Sequence, residues 1–147
     1  MRIIAAILLL FGFLAAGCEP VSEVETGSMK PDAPLTNTYW KLVGIGSEPY
    51  RHSTNAREPR LRFGKVEGGV SGFTGCNDLT GGYVIDGDGL EMSEIAATRK
   101  ACAEGMDVEQ RFLQALARVN RFEISGDSLQ LLRDDTVELE FEAVYLY

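Results

Sequence analysis

From Leu61 to the C-terminus the chain is written mostly in period two. Val137, Leu139, Phe141, Ala143 and Tyr145 alternate with Glu138, Glu140, Glu142, Val144 and Leu146. Alternation over that length predicts a strand with one buried face. The three glutamates predict a solvated opposite face, where like charges also discourage pairing with other sheet edges. Phe122 and Ile124 alternate in the same way, Gly126-Asp127 interrupts, and Leu129 and Leu131 resume, which reads as a hairpin. Tyr83-Val84-Ile85 and Leu90-Glu91-Met92 flank Asp86-Gly87-Asp88-Gly89, a second hairpin. Leu61 and Phe63 pass through Gly64 to Gly69 into Val70-Ser71-Gly72-Phe73, a third. Thr38 to Ile45, with Trp40 and Leu42 on one face, predicts the opening strand. About eight strands follow from this reading.

One segment breaks the alternation. Val108, Phe112, Ala115, Leu116 and Val119 form a helical stripe, backed by Glu109, Arg111, Gln114 and Arg118. Asp107 is the expected N-cap, with Gln110 at the capping-box position. Hairpins in series plus one helix predict a mainly β fold: a small antiparallel barrel or half-barrel with the helix covering an open side.

The N-terminus is of another kind. Met1-Arg2 is followed by fourteen uncharged residues, Ile3 to Ala16. That run is too short to span a bilayer, which takes about 20 residues, and it fits the apolar region of a signal peptide. Leu14-Ala15-Ala16-Gly17-Cys18 resembles the lipobox of bacterial lipoproteins, with Ala15 where Leu is commoner. The resemblance implies removal of residues 1–17 and acylation of Cys18, hence a lipid-anchored protein of the bacterial envelope. Glu19, where Asp would favour the inner membrane, leaves the outer membrane, facing the periplasm, as the expectation. Glu19 to Pro34 holds three prolines and four acids among few apolar residues, and reads as a flexible tether. The segment 18–34 is thus anchor and tether, and 35–147 the folded domain.

The chain carries 14 basic and 22 acidic side chains, a net −8, of which −6 falls on residues 35–147. That balance argues against a nucleic-acid partner, whose phosphates need a clustered positive face. With Cys18 assigned to lipid, Cys76 and Cys102 remain. In an oxidising compartment the pair reads as a disulfide, with two free thiols or a redox pair as alternatives; Arg99-Lys100 would lower the pKa of a free thiol at Cys102.

Gly75-Cys76-Asn77, followed after three residues by Gly81-x-Tyr83, resembles the central signature of the META domain, or HslJ-like heat-shock lipoprotein, family. Leu35-x-x-Thr38-x-Trp40-x-Leu42 is similar to the family's opening strand. Thr98-x-x-x-Cys102 is similar to its second signature, with Lys100 where Met is usual. Gly126-Asp127-Ser128-Leu129-x-Leu131 follows in the family order. The resemblance implies a small β-rich barrel with one helix, and for many members an envelope location linked to heat shock, antibiotic resistance or envelope stress. It lends no catalytic residue.

Candidate site residues are therefore few. Asn77, Asp78 and Tyr83 read mainly as turn and strand residues, and in a sharper reading as a ligand rim. Arg57, Arg60 and Arg62 stand against Glu58 alone in their stretch and read as a solvated face or a docking patch for an anionic partner. Asp86-Gly87-Asp88-Gly89 begins like a calcium loop, but Leu90 and Ala97 stand where further ligands belong. His52 sits in a polar loop with no nucleophile motif. No metal, cofactor or catalytic constellation is expected. The favoured function is a non-enzymatic envelope lipoprotein that binds a partner protein. A lipocalin-like binder of a small apolar ligand is the alternative, and an enzyme ranks last.

Overall fold

The computed structural model describes residues 30–53, 57–65 and 68–145. Cys18, the signal region and residues 19–29 lie outside the described residues. The strands are β1 (Tyr39–Ile45), β2 (Glu48–Pro49), β3 (Arg60–Phe63), β4 (Gly69–Phe73), β5 (Asp78–Asp86), β6 (Gly89–Ala97), β7 (Arg121–Ser125), β8 (Ser128–Arg133) and β9 (Thr136–Val144). A single helix, α1 (Met106–Leu116), stands between β6 and β7.

Consecutive strands from β3 to β9 pair antiparallel, and β1 pairs with both β3 and β9, so the sheet returns on itself as a ring. β2 adds a short flap to β1 and makes nine strands where about eight were expected. The three hairpins stand where alternation and turn residues place them. At the β7–β8 turn Gly126 has φ 59°, a left-handed conformation that glycine adopts without a Cβ clash. The opening strand starts at Tyr39 rather than Thr38.

The ring is thin at one seam. β6 meets β7 only at Gly89 and Arg121, with flanking backbone bonds from Leu90 to Asn120 and from Phe122 to Asp88, each 2.9 Å. α1 lies inside the arc of chain that bridges this seam and packs its apolar stripe inward. Phe112, Ala115 and Leu116 are buried, and the Phe112 ring meets Phe141 of β9 edge-on at 6.0 Å. Trp40, Leu61, Phe63, Phe112, Leu129, Leu131, Leu139 and Phe141 are all 0% exposed. Each such side chain contributes about 1.5–3 kcal/mol through burial. The barrel interior is filled by its own side chains.

Three local expectations are corrected. The helix is capped by Gly105, not Asp107, and no side chain bonds the cap. Gly105 has φ 89°, and a Cβ there would lie 2.4 Å from the Gly75 carbonyl oxygen. The chain enters the helix through this backbone contact, which leaves Asp107 and Glu109 in the first turn, where their charge suits the helix dipole. Second, the glutamate face of β9 is not uniformly wet. The register slips between Leu131 and Leu132, so Glu138 turns under cover and its side chain is only 6% exposed. Arg118 donates to it at 2.6 and 3.0 Å, and Arg133 lies at 3.2 Å. Arg118, first through its hydrogen bonds, holds the Glu138 carboxyl below the usual glutamate range. Tyr145, just past β9, is exposed. Third, the end of the expected tether packs on the fold. Ala33 is buried and donates its N–H to the Gly126 carbonyl at 2.8 Å, Asp32 accepts from the Gly126 N–H at 2.6 Å, and Lys30 pairs with Asp127 at 2.5 Å.

Candidate functional site

The signature segment forms a closed polar hub. Thr74 to Asn77 turns the chain from β4 into β5, and the Thr74 N–H donates to the Asn77 carbonyl at 2.9 Å. Cys76 is bonded to Cys102, with Cα atoms 5.9 Å apart, so the irregular segment that follows β6 is stapled to this turn. Asn77, 1% exposed, joins its own turn to the segment after β6 and to α1. Its Oδ1 accepts from the Thr98 hydroxyl at 2.8 Å and the Lys100 N–H at 2.7 Å. Its Nδ2 donates to Glu109 Oε1 at 2.9 Å and to the Lys100 carbonyl at 3.2 Å. Its backbone N–H donates to Glu109 Oε2 at 2.9 Å, and the Thr74 hydroxyl bonds the same oxygen. Every donor and acceptor of the Asn77 side chain is used within the fold. The helical period puts Glu109 on the side of the helix opposite the apolar stripe. Its position in the first turn of α1 is what the turn needs, and that role has no sequence signal without knowing where the helix starts.

The three residues of the possible ligand rim do not converge on an open site. Asn77 is enclosed. Asp78 pairs with Arg57 at 2.6 Å. Tyr83 is buried in β5, donates its hydroxyl to the Gly64 carbonyl at 2.7 Å and packs edge-on against Phe63 at 5.1 Å. Burial raises its pKa.

The arginines lie on the outside. Leu61 and Phe63 of β3 point into the core while Arg60 and Arg62 point away from it. Arg57 stacks over the Phe73 ring at 4.3 Å while pairing with Asp78. Arg60 lies over the Tyr39 ring at 5.3 Å. Tyr39 donates its hydroxyl to Glu58 at 2.8 Å, and its pKa is raised by burial first and by Glu58 second. Arg62 donates to the neutral Asn37 side chain at 2.6 Å. Among the described residues neither Arg60 nor Arg62 has a carboxylate within ion-pair distance. Beside them lies an open cleft of about 420 Å³, lined by Pro34, Asn37, Thr38, Tyr39, Arg62, Val144 and Tyr145.

Among the described residues no group of His, Cys, Asp and Glu is arranged to hold a metal ion, and no helix is long and apolar enough to cross a membrane.

A ring of antiparallel strands with one helix, a Gly-Cys-Asn turn and a bridged second Cys is the arrangement the motifs imply, and the comparison with known families agrees. The META domain model matches residues 33–144. The chain belongs to the META domain family. The match begins at Ala33, the first buried residue of the described chain, so this META domain includes the last residues of the expected tether. Its fold is similar to an NMR structure of a protein from Burkholderia xenovorans, 26% identical, with a TM-score of 0.63, covering 87% of this chain and 98% of that one. A second NMR structure, 18% identical with a TM-score of 0.58, covers 74% of this chain and 90% of that one and is similar in fold. No curated protein matches the chain.

Proposed function

We propose that this META domain protein is a lipid-anchored component of the bacterial envelope, held through Cys18, and that it works by binding a partner rather than by catalysis. The observation that carries the reading is the contrast in its polar groups. The signature residues Thr74, Asn77, Thr98 and Glu109 bond one another, whereas Arg60 and Arg62 face outward. A hub with its hydrogen bonds satisfied is scaffold chemistry; an outward cationic strand face is recognition chemistry. The lipobox-like Leu14 to Cys18 supports the anchor. The filled interior gives no support to the lipocalin-like alternative, because an apolar ligand would have to displace Trp40, Phe63 or Phe141.

Labelling cells with radioactive palmitate tests the anchor: label on the native chain and none on Cys18→Ser is expected. Cross-linking of the lipidated protein in cells tests the binding role. A discrete set of adducts supports it, and a chain that forms none while a deletion strain keeps its normal tolerance of heat and large apolar antibiotics counts against it.

A further inference from the structure

We infer that the cleft at Tyr39, Arg62 and Tyr145, with Arg60 beside it, is the face this domain presents to the membrane, where it seats the phosphate of anionic glycerophospholipid headgroups. Three observations meet at this place. The first is chemical. Among the described residues Arg62 stands at the cleft with the neutral Asn37 as its hydrogen-bond partner and no carboxylate within ion-pair distance, and Arg60 stacks on Tyr39, which itself lines the cleft. A guanidinium without a carboxylate partner is a fork of donors ready for a phosphate. Tyr39, Tyr145, Pro34 and Val144 supply the amphipathic and apolar surface suited to the headgroup zone of a bilayer.

The second is electrostatic. The domain carries a net −6, so most of its surface is repelled by an anionic membrane. Lys30, Lys41 and Arg57 are neutralised by Asp127, Glu142 and Asp78. Glu58 is on the same face and accepts from the Tyr39 hydroxyl. With Glu58 counted, Arg60 and Arg62 leave this face a surplus of one positive charge among these groups.

The third is where the chain arrives. Lys30, the first described residue, lies 4.7 Å over the ring of Tyr145 at this cleft. Glu19 to Met29 puts eleven residues between Lys30 and Cys18. Fully extended, eleven residues reach about 40 Å at most. A domain of this size has a radius of gyration of about 13 Å. A lipid on Cys18 therefore keeps the Lys30 end, and the cleft beside it, within that reach of the bilayer. This third step rests on the proposed acylation of Cys18; the first two do not.

The test uses the chain from residue 18 onward with Cys18→Ser, so that no lipid contributes, and measures co-sedimentation with vesicles of phosphatidylcholine alone or of phosphatidylcholine mixed with anionic phosphatidylglycerol, whose negative surface potential attracts cations. Binding to the anionic vesicles, weakened by added salt, is expected. Each cation near such a surface is worth about fivefold in partitioning, so Arg60→Gln/Arg62→Gln should reduce binding roughly 30-fold. Tyr145→Ser should also weaken it, with Arg99→Gln/Lys100→Gln serving as a charge-matched control away from the cleft. Equal loss in that control, equal binding to neutral vesicles, or no binding to either vesicle overturns the inference. So does a result in which the arginine pair is needed only for a cross-linked acidic protein. Failure of acylation would appear separately, as absence of palmitate label on the native chain with vesicle binding intact.

Discussion

Two polar clusters on this barrel have opposite fates. At the β4–β5 turn Asn77, Glu109, Thr74 and Thr98 close on one another over the Cys76–Cys102 bridge. On the neighbouring strand β3, Arg60 and Arg62 keep their charge on the surface with a ring and an amide for company. The difference teaches that the signature of the META domain and the surface available for recognition are separate things. A motif that identifies the family can be entirely structural, and the groups free to meet a partner can lie outside it.

The bridge gives the largest break of this contrast. In the chain-entropy picture a disulfide closing a 26-residue separation stabilises the fold by roughly 3–4 kcal/mol. Replacing both cysteines, Cys76→Ala/Cys102→Ala, should lower the free energy of urea unfolding by about that amount. An unchanged urea midpoint would mean the hub holds itself without the staple. Asn77→Ala comes next. It strands the Thr98 hydroxyl, the Lys100 N–H and one oxygen of Glu109, and a buried group left unbonded costs about 1–3 kcal/mol. The two losses should not add, because bridge and amide order the same turn; a double-mutant cycle with a coupling of about 0.5 kcal/mol or more measures that.

Much of this was readable in the residues, and what was not has a common cause. Gly126-Asp127 and the Asp86–Gly89 turn lie between alternating runs, so local chemistry alone fixes those hairpins. Cys76 and Cys102 were readable as a pair, though not the hub around them. Closure of β1 on β9 joins strands about a hundred residues apart, and nothing local signals it. Glu138 was misread because a bulge breaks period two at one residue, and a bulge leaves no mark in the alternation of types. Gly105 replaced Asp107 at the cap because its backbone meets that of Gly75, a tertiary contact that outweighs cap preference. On the outer face, Arg57, Arg60 and Arg62 were legible as cations. Their different partners, and the part played by Tyr39, Asn37 and Tyr145, depend on which strands neighbour β3 and where the chain enters.

Glu138 sharpens the contrast from a third position, a charge that is neither in the hub nor free. Its folded pKa is depressed by Arg118, so its contribution is complete above the unfolded glutamate value and disappears as pH falls through the folded one. Thermal unfolding of the native chain and Glu138→Gln between pH 7 and pH 3 should show the native chain ahead at neutral pH. The gap should narrow below about pH 4.5, near the ordinary glutamate pKa. A gap independent of pH would place the effect in the shape of the side chain and not in its charge.

The smallest expected effect is the one that decides whether the two clusters differ in kind. Arg60→Gln/Arg62→Gln removes two charges but no buried contact, since Leu61 and Phe63 carry the inward face of β3. Surface substitutions of that sort change stability by about 0.5 kcal/mol or less, and the exposed cation–ring contact of Arg60 with Tyr39 adds about 0.5–1 kcal/mol at most. The double variant should therefore unfold within about 1 kcal/mol of the native chain in urea, with an unchanged slope. A loss comparable with that of Asn77→Ala would make β3's outer face another piece of scaffold. A stable variant gives the vesicle measurement its meaning, because the binding lost would then be the arginines' own.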